Sequence, residues 1–171
     1  MRPTLDQIRG LPDFASLYRW ELIFDRFPTG IAAPGTEALN LRCVSSTLPK
    51  VTGATFPMII RGQETINPGR WNTSGTITLT FVETVDNLVL NFITSWRQAV
   101  WAMNTGVGLT KVELLAVIRL VRMNRSDVRI REYKLEAFPS DYDTGGDLAA
   151  EGDTINPTLT LAYDRFDETA L

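Results

Sequence analysis

The sequence predicts a mostly β fold with one main α-helix: an antiparallel β-sandwich or barrel with a flanking helix and a long extended arm. Three observations predict it. Short segments of alternating polarity recur along the chain, one segment alone carries helical periodicity over several turns, and breakers crowd a single long interval between strands. With 171 residues and 44% hydrophobic content, the chain can build one core, and residues 1–171 are read as a single domain.

Residues 1–16 hold Pro3, Gly10 and Pro12, so they read as an N-terminal arm with a short helical turn around Leu5 to Arg9 and a contact role. From Tyr18 to Phe24, Tyr18, Trp20, Leu22 and Phe24 alternate with Arg19 and Glu21, the period-2 pattern of a half-buried strand. Turn residues Pro28, Gly30, Pro34 and Gly35 then lead into Ala38 to Ser46, where Leu39, Leu41 and Cys43 share a face. This second strand is expected to form a hairpin with the first.

Residues 47–72 carry Pro49, Gly53, Pro57, Gly62, Pro68 and Gly69 and read as an extended loop or arm, too long to be a mere connection. Thr73 to Thr84 is the clearest strand, with Ile77, Leu79 and Phe81 against Thr76, Thr78 and Thr80. Residues 85–103 form the helix. Val89, Phe92, Ile93, Trp96, Val100 and Met103 recur at helical spacing, Thr84 or Asp86 can cap its start, and Gly106 follows its end. Trp96 and Trp101 lie about 140° apart around a helix, which puts Trp96 in the core and turns Trp101 toward a partner.

Val112 to Met123 is apolar enough for a strand buried on both faces, and Asn124 to Asp127 make a turn. Val128 to Phe138 returns with a change of parity that predicts a β-bulge near Arg131 and Glu132. Pro139 to Pro157 reads as a polar loop, and Thr158 to Phe166 as the last strand.

The chain has no histidine, which removes the commonest general base and metal ligand and the usual partner of a Ser or Cys nucleophile. Cys43, its only cysteine, allows no intramolecular disulfide and no thiolate metal cluster. No catalytic constellation, metal site or cofactor is therefore expected. A formal charge of −3 supplies no basic field for tight DNA binding. No stretch is apolar enough for a membrane helix, so a soluble, unexported protein with no membrane insertion is the expectation. The acidic stretch Asp141, Asp143, Asp147, Glu151 and Asp153 is spaced only loosely like a calcium loop and lacks the flanking helices of one. Among the arginines Arg119, Arg122, Arg125, Arg129 and Arg131 stand Asp127, Glu132 and Glu136, a mixture that points to subunit contacts rather than nucleic acid.

Taken in order, the segments resemble the tail tube protein of contractile bacteriophage tails, a family similar in fold to bacteriocin and type VI secretion tube proteins. The resemblance spans nearly the whole chain. Its carriers are the opening Phe14-Ala-Ser-Leu-Tyr-Arg-Trp-Glu-Leu-Ile-Phe, the exit Leu41-Arg-Cys-Val-Ser-Ser-Thr-Leu-Pro, and the arm Arg61-Gly-Gln-Glu-Thr-Ile-Asn-Pro-Gly-Arg before Ser74-Gly-Thr-Ile-Thr-Leu-Thr-Phe. The helix Asn91-Phe-Ile-Thr-Ser-Trp and the ending Leu135-Glu-Ala-Phe-Pro-Ser with Thr158-Leu-Thr-Leu-Ala-Tyr-Asp complete it. Thr36 to Arg42 departs from the family pattern in polarity, and Arg119 to Arg131 carries more arginine.

The resemblance implies a non-enzymatic virion component, made in the host cytoplasm. It would form hexameric rings that stack into a hollow tube inside a contractile sheath and conduct DNA during ejection. Its partners would be copies of itself, the sheath protein, a tape-measure protein, transient DNA in the lumen, and baseplate and tail terminator proteins. The implied contacts between subunits and rings are Leu5, Ile8, Phe14, Lys50, Phe56, Ile59, Arg61, Glu64, Arg70, Trp71, Trp101, Arg122 and Arg129. The alternatives are a tube-related ring protein, such as a type VI secretion tube or a baseplate tube initiator, and a β-sandwich binding module with a calcium-binding acidic loop.

Overall fold

The structure is a computed structural model that describes residues 18–146 and 154–171. The expected helical turn at Leu5 to Arg9, the contacts Leu5, Ile8 and Phe14, and the carboxylates Asp147, Glu151 and Asp153 lie outside the described residues.

Six antiparallel strands form one curled half-barrel sheet in the order β1-β6-β7-β8-β5-β2. They are β1 (Trp20–Arg26), β2 (Cys43–Ser46), β5 (Gly75–Phe81), β6 (Ala116–Met123), β7 (Arg129–Asp143) and β8 (Thr158–Ala170). β3 (Thr52–Ile60) and β4 (Gln63–Asn72) pair only with each other. Three helices complete the fold: α1 (Thr36–Arg42), α2 (Leu88–Val100) and α3 (Lys111–Leu114). Among the described residues no helix is long and apolar enough to cross a membrane.

The core lies between the concave sheet and α2. The sheet supplies Leu22, Phe24, Ile77, Leu79, Phe81, Ile118, Leu120, Tyr133, Leu135, Leu159 and Leu161, and α2 supplies Val89, Phe92, Ile93 and Trp96, all buried. Each such side chain contributes about 1.5–3 kcal/mol on burial. Phe92 sets its edge against Phe24 at 6.1 Å and tilts against Trp96 at 5.5 Å. Trp96 is fully buried, and its Nε1–H donates to the Leu114 carbonyl at 3.0 Å, so the one polar atom of the ring is satisfied.

Several expectations are corrected. Ala38 to Ser46 is not one strand: Thr36–Arg42 is helix, only Cys43–Ser46 is extended, and β2 pairs with β5 rather than with β1. Alternation misled here because Leu41 is 78% exposed while Leu39 is buried, so the two leucines do not share a face. Within residues 47–72, read as an extended loop or arm, 47–51 are irregular but 52–72 are a β-hairpin. β3 and β4 form a ladder from Thr52↔Asn72 to Ile60↔Gln63, closed by Arg61 and Gly62 at φ 51° and 81°, the two left-handed residues of a primed hairpin turn. Pro57 and Pro68 are tolerated because both strands of an isolated ribbon are edges. At Gly69 a Cβ would come within 2.7 Å of the Ala54 carbonyl oxygen, so the bulge at that point requires glycine.

α2 is shorter than residues 85–103, and its N-cap residue is Asn87, whose side chain makes no cap hydrogen bond, while Asp86 accepts from the Leu88 backbone. The Glu83 carboxylate accepts from the next two N–H groups, of Val89 and Leu90, at 3.3 and 2.6 Å, and Thr84 hydrogen-bonds to Asp86. The first part of the expected 112–123 strand is α3, held by a capping box between Thr110 and Glu113. The predicted bulge exists, one residue early at Ile130, between the pairings Arg122↔Arg131 and Met123↔Arg129. The Pro139–Pro157 loop is shortened at its start, because β7 runs on through buried Pro139 to Asp143, and β8 continues past Phe166 to Ala170.

Candidate assembly surface

The β3–β4 hairpin projects as a ribbon with apolar side chains on both faces. Register places Pro57, Ile59, Glu64 and Ile66 on one face and Phe56, Met58 and Ile60 with Gln63, Thr65 and Asn67 on the other. Ile59 and Ile66 are 72% and 74% exposed, and Phe56, Met58, Ile60 and Trp71 are exposed as well. A two-stranded ribbon is marginal by itself in water, and isolated domains rarely leave so contiguous an apolar surface uncovered. The root is anchored: Lys50 N–H donates to Tyr163 Oη at 3.1 Å, and Thr78 N–H donates to Thr47 Oγ1 at 2.8 Å.

The main sheet, by contrast, is guarded. β1 is one end of the sheet, yet its outward Leu22 and Phe24 N–H groups donate to Asn40 Oδ1 and Thr36 Oγ1 of α1, each at 2.8 Å. Side chains a helical turn apart thereby close an edge that would otherwise invite strand addition. Sequence reasoning missed this use of Thr36 and Asn40, and their four-residue spacing was the signal that could have found it.

Nine of the ten expected contact residues that are described are exposed or half-buried and make no ion pair among the described residues: Lys50, Phe56, Ile59, Arg61, Glu64, Arg70, Trp71, Trp101 and Arg122. Six of them lie together on the hairpin, Lys50 stands at its root, and Trp101 stands apart, just after α2. Arg129 is different, because its Nη2 reaches Glu21 Oε2 on β1 at 3.3 Å.

Other arginines of that segment are also paired within the chain. Arg119 ties three strands, donating to both Asp25 oxygens at 2.6 Å and to Glu132 at 3.3 Å. Its hydrogen bonds to Asp25, ahead of all else, hold the guanidinium charge more firmly than usual. The Glu168 carboxylate beside Arg131 does the same for that guanidinium. On the sheet face away from α2, Lys134 stands between Arg119 and Asp167, and Arg119 reaches Asp25 and Glu132, so these two basic groups have acidic neighbours.

Asp141 and Asp143 belong to β7, and no group of three or more His, Cys, Asp or Glu among the described residues could hold a metal ion. Cys43 is half-buried, and burial pushes its thiol up to about 12, which leaves it protonated at neutral pH.

The chain superposes on the tube-terminating cap of the anti-feeding prophage with a TM-score of 0.69 at 13% identity, covering 95% of each chain. The chain has the fold of a contractile-tail tube protein. The same tube fold appears in the sheath–tube complex of an extracellular contractile injection system in its extended state, with a TM-score of 0.64 at 18% identity over 99% of this chain and 100% of that one. The tail tube of SPP1 shares it more distantly, with a TM-score of 0.51 at 10% identity over 92% of this chain and 80% of that one. No family model matches the sequence, and no curated protein matches it. The structural neighbours of this tube fold are tube, terminator and baseplate components rather than enzymes.

Proposed function

We propose that this chain is the tube subunit of a contractile tail, a structural protein without catalytic activity. Copies join head to tail into hexameric rings, and the rings stack into a hollow tube inside a sheath, between a baseplate and a tail terminator. The observation that carries this reading is the β3–β4 hairpin: a ribbon apolar on both faces, projecting from a domain whose β1 edge α1 has closed. Such a ribbon needs cover, and a heterologous contact repeated between identical copies either closes into a ring or extends. Residues Lys50 to Arg70 are the ring-to-ring arm, and Leu5 to Phe14 make a further contact between subunits. The sheet face away from α2 lines the channel. With its charges paired, it releases few counterions from DNA and lets the duplex and a tape-measure protein pass. The assembled tube is part of a virion.

Negative-stain electron microscopy of the purified chain over a range of concentrations tests this. Hollow tubes of six-fold rings are the expected outcome, and a monomer at every concentration, with or without added baseplate nucleus, would sink the proposal. A second reading is favoured by the likeness to the anti-feeding prophage cap, which covers 95% of both chains. In that case the same micrographs contain single rings that never lengthen.

A further inference from the structure

The hairpin identifies what must be covered but not what covers it. At the open end of the half-barrel, where β1 and β2 approach one another, lies a cleft of about 160 Å³ lined by Trp20, Leu48, Leu120 and Val121, with Arg19 and Arg122 beside them. Its floor is apolar and its rim is positive. Arg19 Nε is buried without a hydrogen-bond partner, although one of the Nη groups of the same side chain pairs with Asp127. Arg122 makes no ion pair among the described residues, unlike Arg119, Arg129 and Arg131.

Resting on the tube reading, we propose that this cleft receives the tip of the β3–β4 hairpin from a second copy of the chain, with Ile59 in the apolar floor and Glu64 against Arg122. Three properties select this occupant. The volume is several times the ~30 Å³ share of a water molecule and suits a single aliphatic side chain, such as Ile59, better than a larger body. Ile59 and Glu64 are direct cross-strand partners on one hairpin face, so the apolar group and the acidic group arrive together, as the cleft's apolar floor and basic rim require. Finally, the tip cannot serve its own molecule. Seven residues of strand hold Ile59 roughly 23 Å beyond Thr52, and Ile59 is 72% exposed, whereas Leu48 lies just before the hairpin's root. A tip and a cleft that are complementary but out of reach within one chain make a contact that propagates from copy to copy.

The test uses the full chain in two forms. Arg122→Glu alone should lower the fraction assembled, as judged by pelleting and microscopy, about tenfold, and Glu64→Arg added to it should restore assembly. Separately, a chain carrying Cys43→Ser, Leu48→Cys and Ile59→Cys, oxidised after assembly, should run as a covalent ladder on a non-reducing gel. Circular dichroism establishes that each variant is folded. Either the rescue or the ladder places the tip in the cleft. If wild-type chains assemble but neither appears, the docking proposal is wrong and the tube reading stands. If wild-type chains never assemble, the tube reading fails and this contact fails with it.

Discussion

Trp96 shows how one residue joins two layers of the fold. Its ring closes the C-terminal end of α2's buried stripe, and its N–H holds the carbonyl at the end of α3, just before β6 begins. Trp96→Ala is expected to cost about 3–5 kcal/mol in urea denaturation, while Trp96→Phe, which keeps most of the ring but strands the Leu114 carbonyl, costs about 1–3 kcal/mol. Cys43 gives a pH signature at the same scale. Its thiol goes from an ordinary 9.0 to about 12 in the fold, so the unfolded chain loses that proton first. Between those two values the native state binds more protons than the unfolded state, and stability falls as pH rises. The contribution is fully present below pH 9 and lost by about pH 12. Thermal melts of wild type and Cys43→Ala across that range should converge as pH rises; parallel curves would remove Cys43 as the cause. Asn40 is the third such position: Asn40→Ala bares the Leu22 N–H on the β1 edge, with an expected loss of about 1–3 kcal/mol and aggregation at lower concentration than wild type.

The elements divide into a self-sufficient core and a hairpin that contributes nothing to it. None of the residues of β3 or β4 belongs to the buried cluster. Replacing residues 55–68 by an Asn-Gly turn should therefore leave the melting temperature within about 2 °C of wild type and abolish tubes, leaving nothing longer than single rings. A large drop in melting temperature would mean that the hairpin is part of the folding unit. The elements also show what could be read in advance. Period-2 segments such as Ile77, Leu79 and Phe81 and the helical stripe ending in Trp96 were legible because burial on one face writes itself into local spacing. The hairpin's position and length were legible as an arm, but not its ladder, because neither face of the ribbon packs on this chain's core and so its side chains carry no in–out alternation. α1 was misread for the same kind of reason. Only Leu39 is buried there, and the work of Thr36 and Asn40 is hydrogen bonding to a distant strand, which leaves no periodic trace.

At the scale of the whole molecule, the distribution of charge matters more than its total. A net charge of −3 excludes a strongly basic protein, but a local basic track could still exist within it, and the arginine-rich Arg119–Arg131 segment was the place to look. There Arg119 and Arg129 are drawn to Asp25, Glu132 and Glu21 across neighbouring strands, so each of these two cations faces a carboxylate before it faces solvent, while Arg131 pairs with Glu168 on the opposite side of the sheet. A DNA phosphate offered to that face would have to displace an existing partner, and the counterion release that drives non-specific binding would be largely cancelled. The chain, assembled or not, should therefore fail to retard duplex DNA in a gel even at about 50 mM salt, where non-specific binders hold most tightly. Changing Glu21 and Glu132 to glutamine together with Asp25 to asparagine should unmask Arg119 and Arg129 and produce retardation that weakens steeply as salt rises. Retardation by the wild-type chain, with the same steep salt dependence, would mean that the ion pairs do not neutralise this face and that DNA could not slide along it.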